Sequence, residues 1–154
     1  MGYNSLMKIL LAIDGSDFSS AATREVAERP WPAGSEVKII SVVELPFLPT
    51  PETMALPESY YGQFEKTARE QAKEAIERAT KLLENHPELR ISSDILSGRA
   101  KDIIIEEAEG WGADLIVVGS HGYHGWQKVL LGSVSQAVAA QARCSVEIVR
   151  TRRE

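Results

Sequence analysis

The chain has 154 residues, 44% of them hydrophobic and 25% charged, which fits one globular domain over residues 1–154 with a core of its own. A formal net charge of −5 without a long basic run sets nucleic acid aside as a partner. A single cysteine, Cys144, excludes an internal disulfide and matches a reducing compartment. No stretch approaches the roughly 20 apolar residues of a membrane span, and the run Ile9 to Ile13 is too short for a signal peptide, so the expectation is a cytoplasmic protein with no membrane partner.

In chain order, Leu6 to Ile13 predicts a buried first strand that ends at Asp14-Gly15-Ser16. Ser16 or Asp17 then caps a helix over Phe18 to Glu28, which Pro30 and Pro32 close. Val37 to Val43 is a second strand, rich in β-branched residues. Glu44 to Ser59 contains Pro46, Pro49, Pro51 and Pro57 and reads as a surface loop. Apolar residues from Phe64 to Leu83 recur at helical spacing and give an amphipathic helix over Tyr60 to Asn85. Leu89 to Leu96 is a third strand. Ala100 to Glu109 is a short helix with Ile104, Ala108 and Trp111 inward, ended by Gly110 and Gly112. Ser145 to Arg150 is a last strand. Strands alternating with helices imply parallel pairing through right-handed crossovers, hence a doubly wound α/β fold with helices on both faces.

The segment between the third helix and the last strand holds the chemistry. Leu115 to Val118 is an unbroken apolar run suited to a strand buried on both faces. A glycine-rich loop follows it, and a helix begins at Gly132-Ser133, carried on by Val134, Val138 and Ala142. Ser133 with Gln136 three residues later matches a capping box and makes Ser133 the expected N-cap. Strand, glycine loop and helix N-terminus together suit an anionic phosphate, because free amides and the helix dipole converge there. On this reading Gly119 lets a ligand lie against bare backbone. Gly122 and Gly125 take positive φ, Gly132 leaves room before the cap, and the hydroxyls of Ser133 and Ser135 face phosphate oxygens. No Lys-Ser or Lys-Thr follows, so this is not a Walker A loop, and it does not follow the first strand as a dinucleotide fingerprint does.

Gly119, two residues, Gly122, nine residues, then Gly132-Ser133 resembles the nucleotide loop of the ATP-binding branch of the universal stress protein family. The flanking VVGSHG and LLGSVS are also similar to that family, and the similarity runs from Lys8 to about Val149. The resemblance implies a five-stranded sheet in the order 3-2-1-4-5, whose switch point lies between the first and fourth strands, where ligands bind. With the residues flanking the loop, among them His121 set to touch phosphate, it gives a candidate site of Ile13, Asp14, Val42, Val118, Gly119, His121, Gly122, Gly132, Ser133, Val134 and Ser135. Within it, Val42 matches the position whose backbone reads the adenine edge. Asp14 matches the aspartate of the nucleotide site, where it would hold ribose or a water on a divalent cation, so the expected cofactor is ATP or AMP with Mg. Ile13 and Val118 line the base pocket or fill core. It further implies a stress-response regulatory module with little or no turnover, acting on client proteins that the sequence does not name. A homodimer joined through Ser145 to Arg150 is implied as well.

Other residues carry less. His121 and His124 lack a third ligand nearby in sequence for zinc. Lys128 adds charge to the loop or faces solvent, and Trp126 packs over the site or joins an interface. Cys144 reads as a small hydrophobe. Two competitors stay open: a slow ATPase or other nucleotide-dependent enzyme, and a nucleotide-free dimeric scaffold. The first needs a nucleophile and a charge-stabilising set beside the phosphates, and IDGSD stands after the first strand where such enzymes carry other loops.

Overall fold

A computed structural model describes residues 5–44, 51, 57–122 and 131–151. Five strands form one parallel sheet: β1 (Lys8–Ala12), β2 (Glu36–Val43), β3 (Arg90–Ser97), β4 (Leu115–Gly119) and β5 (Ser145–Val149), in the order β3-β2-β1-β4-β5. Four helices alternate with them: α1 (Asp17–Glu28), α2 (Glu58–Leu83), α3 (Ala100–Trp111) and α4 (Ser133–Gln141).

The central strands are apolar on both sides, and each alternate residue enters a different core. Ile9, Leu11, Val37, Ile39 and Val117 pack with Ala22 and Val26 of α1 and with Ala75, Ile76, Ala79 and Leu83 of α2. Leu10, Ala12, Ile40, Ile116 and Val118 pack with Ile104 and Ala108 of α3 and Val138 of α4. The period-two alternation of the strands and the helical stripes thus meet as a doubly wound sandwich, α1 and α2 on one face, α3 and α4 on the other. Burying each Val, Leu or Ile side chain among these contributes about 1.5–3 kcal/mol. The expected strand order is the observed one.

The β1–β4 seam fixes the switch point. Ile9 aligns with Leu115 and Ala12 with Val118, so both strands end at the same level. At the opposite end the Lys8 amide donates to Asp114 Oδ2 at 2.8 Å, and the Asp114 amide donates to the Lys8 carbonyl at 2.8 Å.

Boundaries depart from the sequence reading where tertiary contacts decide them. Leu6 lies outside β1 and is 60% exposed. Of the two cap candidates for α1, Ser16 is the cap. The helix expected from Tyr60 begins at Glu58, after Pro57, whose fixed φ suits a helix start. The rest of the expected Glu44 to Ser59 loop lies largely outside the described residues. Gly110 sits inside α3; Gly112 alone ends it, at φ 76°, a left-handed conformation that glycine adopts without strain.

Candidate functional site

Beyond the carboxyl ends of β2, β1 and β4 lies a cleft of about 660 Å³. Its lining gathers residues far apart in sequence. Ile13, Asp14, Val42, Val118, Gly119, His121, Gly122, Gly132, Ser133, Val134 and Ser135, the whole expected set, all border it. It also takes Ala12, Ser19, Glu44, Ala100, Ile104, Leu131 and Gln136, none of which was expected.

The β4–α4 side is built around one carbonyl. Ser120, 3% exposed, accepts at its carbonyl from the Gly132 amide at 2.7 Å and from Ser135 Oγ at 3.0 Å. A Cβ on Gly132 would stand 3.3 Å from His121 Cα and 3.4 Å from the Ser120 carbonyl, so glycine keeps the two chain segments in contact. This clamp corrects the capping-box expectation. Gly132, not Ser133, is the N-cap, with φ −71° and ψ 165° and no side-chain capping bond. Because Gly132 is pinned to the strand exit, Ser133 moves one place into the helix and is exposed. Gln136 Nε2 reaches back to the Leu131 carbonyl at 2.7 Å instead of completing the box. The Ser135 hydroxyl, expected to meet phosphate, is engaged by the Ser120 carbonyl and, at 3.0 Å, by that of Gly132. The amides of Ser133, Val134 and Ser135 precede the first helical bond, from the Gln136 amide to the Gly132 carbonyl at 3.0 Å, so the helix gives them no partner of its own.

Two glycine roles also change. A Cβ on Gly119 would fall 2.7 Å from the Phe18 carbonyl carbon, so the missing side chain makes room for the first turn of α1, while the residue also borders the cleft. Gly122 does not occupy the positive-φ region; a Cβ there would lie 3.0 Å from Asp14 Oδ2, and glycine serves to bring the loop up to that carboxylate. Gly125, His124, Trp126 and Lys128 lie outside the described residues.

The β1–α1 turn orients Asp14. Its Oδ1 accepts from the Ser16 amide at 2.9 Å, closing a local turn, while the residue stays exposed at the cleft. His121 is half-buried, its ring 5.0 Å from that of Phe18 and its Nδ1 3.2 Å from Ser120 Oγ. Among the described residues no group of three or more His, Cys, Asp or Glu is placed to hold a metal ion directly. On the β2 side, Val42 and Ile104 line an apolar wall, and Glu44 Oε1 accepts from the Ala100 amide at the start of α3.

The profile of the Universal stress protein family matches residues 6–150. The chain belongs to that family. It is 33% identical over 150 residues to the universal stress protein MJ0531 of Methanocaldococcus jannaschii, covering 97% of this chain and 85% of that one. Among solved structures, universal stress protein UspA from Lactobacillus plantarum superposes with a TM-score of 0.81 at 24% identity, over 94% of this chain and 97% of that one. A family protein from Arabidopsis thaliana, solved with AMP bound, gives a TM-score of 0.62 at 17% identity, over 95% and 92% of the two chains. These two likenesses bear on the fold, which they share with this universal stress protein.

Sequence reasoning missed Glu44, Ala100 and Ile104 for a definable reason. It assigned cleft residues to the switch-point strands β1 and β4 and took only Val42 from β2. The signal available was topological: residues just past the end of any neighbouring strand border the same crevice.

Outside the cleft, Cys144 is half-buried beside α3, and burial pushes its thiol above the ordinary range. A thiol so placed stays protonated at neutral pH, as a small hydrophobe would be expected to behave. No helix among the described residues is long and apolar enough to cross a membrane.

Proposed function

We propose that this universal stress protein binds an adenine nucleotide, ATP or AMP, in the cleft and works as a stress-response regulatory module with little or no turnover. The observation that supports it is the polarity of the cleft: an apolar stretch of Ile13, Val42, Ile104 and Val118 at one side, and the first-turn amides of α4 at the other. A flat base suits the first and a phosphate the second. The residues present fit the nucleotide. Ile13, Val42 and Val118 would flank the base. Gly119, His121 and Gly122 would border the phosphates with Gly132, the amides of Ser133, Val134 and Ser135, and the Ser133 hydroxyl. Asp14 would hold ribose or a water on Mg²⁺. The AMP complex of the Arabidopsis relative is in keeping with this, although at 17% identity the argument rests on this chain's own residues.

Turnover is expected to be slow. Phosphoryl transfer needs a positioned nucleophile and extra positive charge on the transferring group. The described lining offers the carboxylates of Asp14 and Glu44 and no lysine or arginine. A cytoplasmic homodimer through β5 completes the reading: β5 ends the sheet, and its outer edge can pair with a second copy. Client proteins would then be met by the dimer.

Native mass spectrometry of the purified protein tests both parts at once. The expected result is a dimer that carries, or takes up on addition of Mg²⁺ and ATP, one nucleotide per subunit. A 16.9 kDa monomer would overturn the dimer, and a dimer indifferent to ATP and AMP would favour the nucleotide-free scaffold. Sustained ADP release near about 1 s⁻¹, within the ordinary enzyme range, would favour an enzyme.

A further inference from the structure

The sheet ends on two edges, β3 on one side and β5 on the other. An open edge offers a row of amides and carbonyls to any strand that reaches it. β3 has 8 residues and β5 has 5, so length alone favours β3 as the pairing edge. Which of its groups face outward follows from the bonds at its two ends. The Arg90 amide donates to the Ser35 carbonyl at 2.9 Å, and the Gly98 amide to the Val43 carbonyl at 3.1 Å. In a parallel ladder alternate residues serve one neighbour, so the even-numbered amides of β3 face β2, and those of Ile91, Ser93, Ile95 and Ser97 face out.

We infer that Asp94 closes the β3 edge against strand addition, so that a second copy of this chain can pair with the sheet through β5 alone. Asp94 is exposed near the middle of β3, and its Oδ1 accepts from the outward amide of Ile95 at 2.9 Å. A strand docking there would find that donor taken and would bring its own carbonyls against carboxylate oxygens, which accept and do not donate. The β5 edge is treated in the opposite way. The Ser120 amide donates to the Val149 carbonyl at 2.8 Å, so Val149 serves β4, and Val146 and Ile148 face outward with half-buried apolar side chains. β5 also has an acidic residue at its middle, but Glu147 is held by Arg29 of α1 at 2.7 Å and 2.6 Å. Among the described residues no side chain accepts from an amide of β5. One carboxylate lies across its own edge and the other is drawn off it. The closure of β3 stands on this geometry; that assembly stops at two copies rests on the dimer reading above. A sheet open at both edges would add copies without end, and one closed edge leaves a pair.

Sedimentation of the full chain across the micromolar range tests it, on the wild type and on Asp94→Val, which offers neither an acceptor nor a charge. The wild type should show no species above two subunits, whereas Asp94→Val should grow past the wild-type size as concentration rises. Adding Ser93→Pro to Asp94→Val removes another outward donor without touching the ladder to β2, and should restore the wild-type size. A double variant that still grows would show misfolding rather than edge pairing and overturn the inference. A wild type that itself grows past two would overturn it as well. So would an Asp94→Val protein no larger than the wild type; if both were dimers, the dimer reading would stand. A monomeric wild type with a dimeric Asp94→Val would overturn the dimer through β5 and keep the closure of β3. Should Asp94→Val fail to fold, amide hydrogen exchange on the wild type takes its place. Once corrected for side-chain chemistry, slower exchange at Ile95 than at Ser93, both outward, supports the assignment, and equal rates refute it.

Discussion

Of the helices that begin at the cleft, α1 and α4 follow the two switch-point strands and begin differently. At α1, Ser16 Oγ accepts from the Ser19 amide at 3.2 Å and Ser19 Oγ donates to the Ser16 carbonyl at 3.0 Å, so the first turn is closed by its own side chains. At α4 the cap is a glycine, and no described side chain satisfies the first-turn amides. Both starts follow a central strand, both point the positive end of a helix dipole at the crevice, and both are rich in serine. What separates them is where the hydroxyls go. In α1 they satisfy the helix. In α4 the Ser135 hydroxyl turns to the strand exit at Ser120, and the amides beside it are left for something else. One start is structural and the other is suited to a ligand.

The largest expected effect breaks the contact between the two regions. Gly119→Val puts side-chain atoms where the Phe18 backbone lies, and α1 must shift off β4. Overpacking of this kind costs about 3 kcal/mol, read as a drop in the urea midpoint. Next is the ligand side. Ser133→Ala should leave stability within about 0.5 kcal/mol, since the residue is exposed and caps nothing, yet weaken ATP by about 1.5 kcal/mol in calorimetry. The mirror change, Ser16→Ala, should cost about 1 kcal/mol of stability and leave ATP affinity close to wild type. If Ser16→Ala and Ser133→Ala behaved alike in both assays, the contrast between the helix starts would be wrong.

A smaller effect lies at the other end of α1. Arg29, its C-cap, donates to Glu147 of β5 at 2.7 Å and 2.6 Å, and that bond holds its guanidinium pKa above the ordinary value. Both side chains are partly exposed, so Glu147→Gln should cost no more than about 1 kcal/mol, and less as salt is raised. Midpoints at low and high salt would show it.

The sheet, its helices and the cleft were legible because local pattern and tertiary outcome agree. Ile9 to Ala12 and Leu115 to Val118 are apolar at every position, and a strand between two helical layers demands that. The glycine spacing pointed to residues that border the cleft. The details failed where a contact over long sequence distance overrules a local rule. The capping box places Ser133 correctly for an isolated helix, but the Ser120 carbonyl fixes Gly132 and moves the cap by one residue. At Gly119 the packing against Phe18, far earlier in the chain, was invisible to spacing. Glu44 passed as loop because its partner amide at Ala100 lies 56 residues on.

The bond between the Lys8 amide and Asp114 spans 106 residues, and it marks a seam that local structure cannot form by itself. Neither half of the chain contains the cleft: Ile13 and Asp14 come from one, Gly119 and Gly132 from the other. The cleft therefore comes into being only when the whole topology closes, a slow, high-contact-order event. Whatever binds across the seam is linked to global folding rather than to local order. At a hundred times its dissociation constant it would add about 2.7 kcal/mol to the stability of the entire chain. If the proposed nucleotide binds there, its concentration would set the stability of the whole chain as well as the state of the cleft.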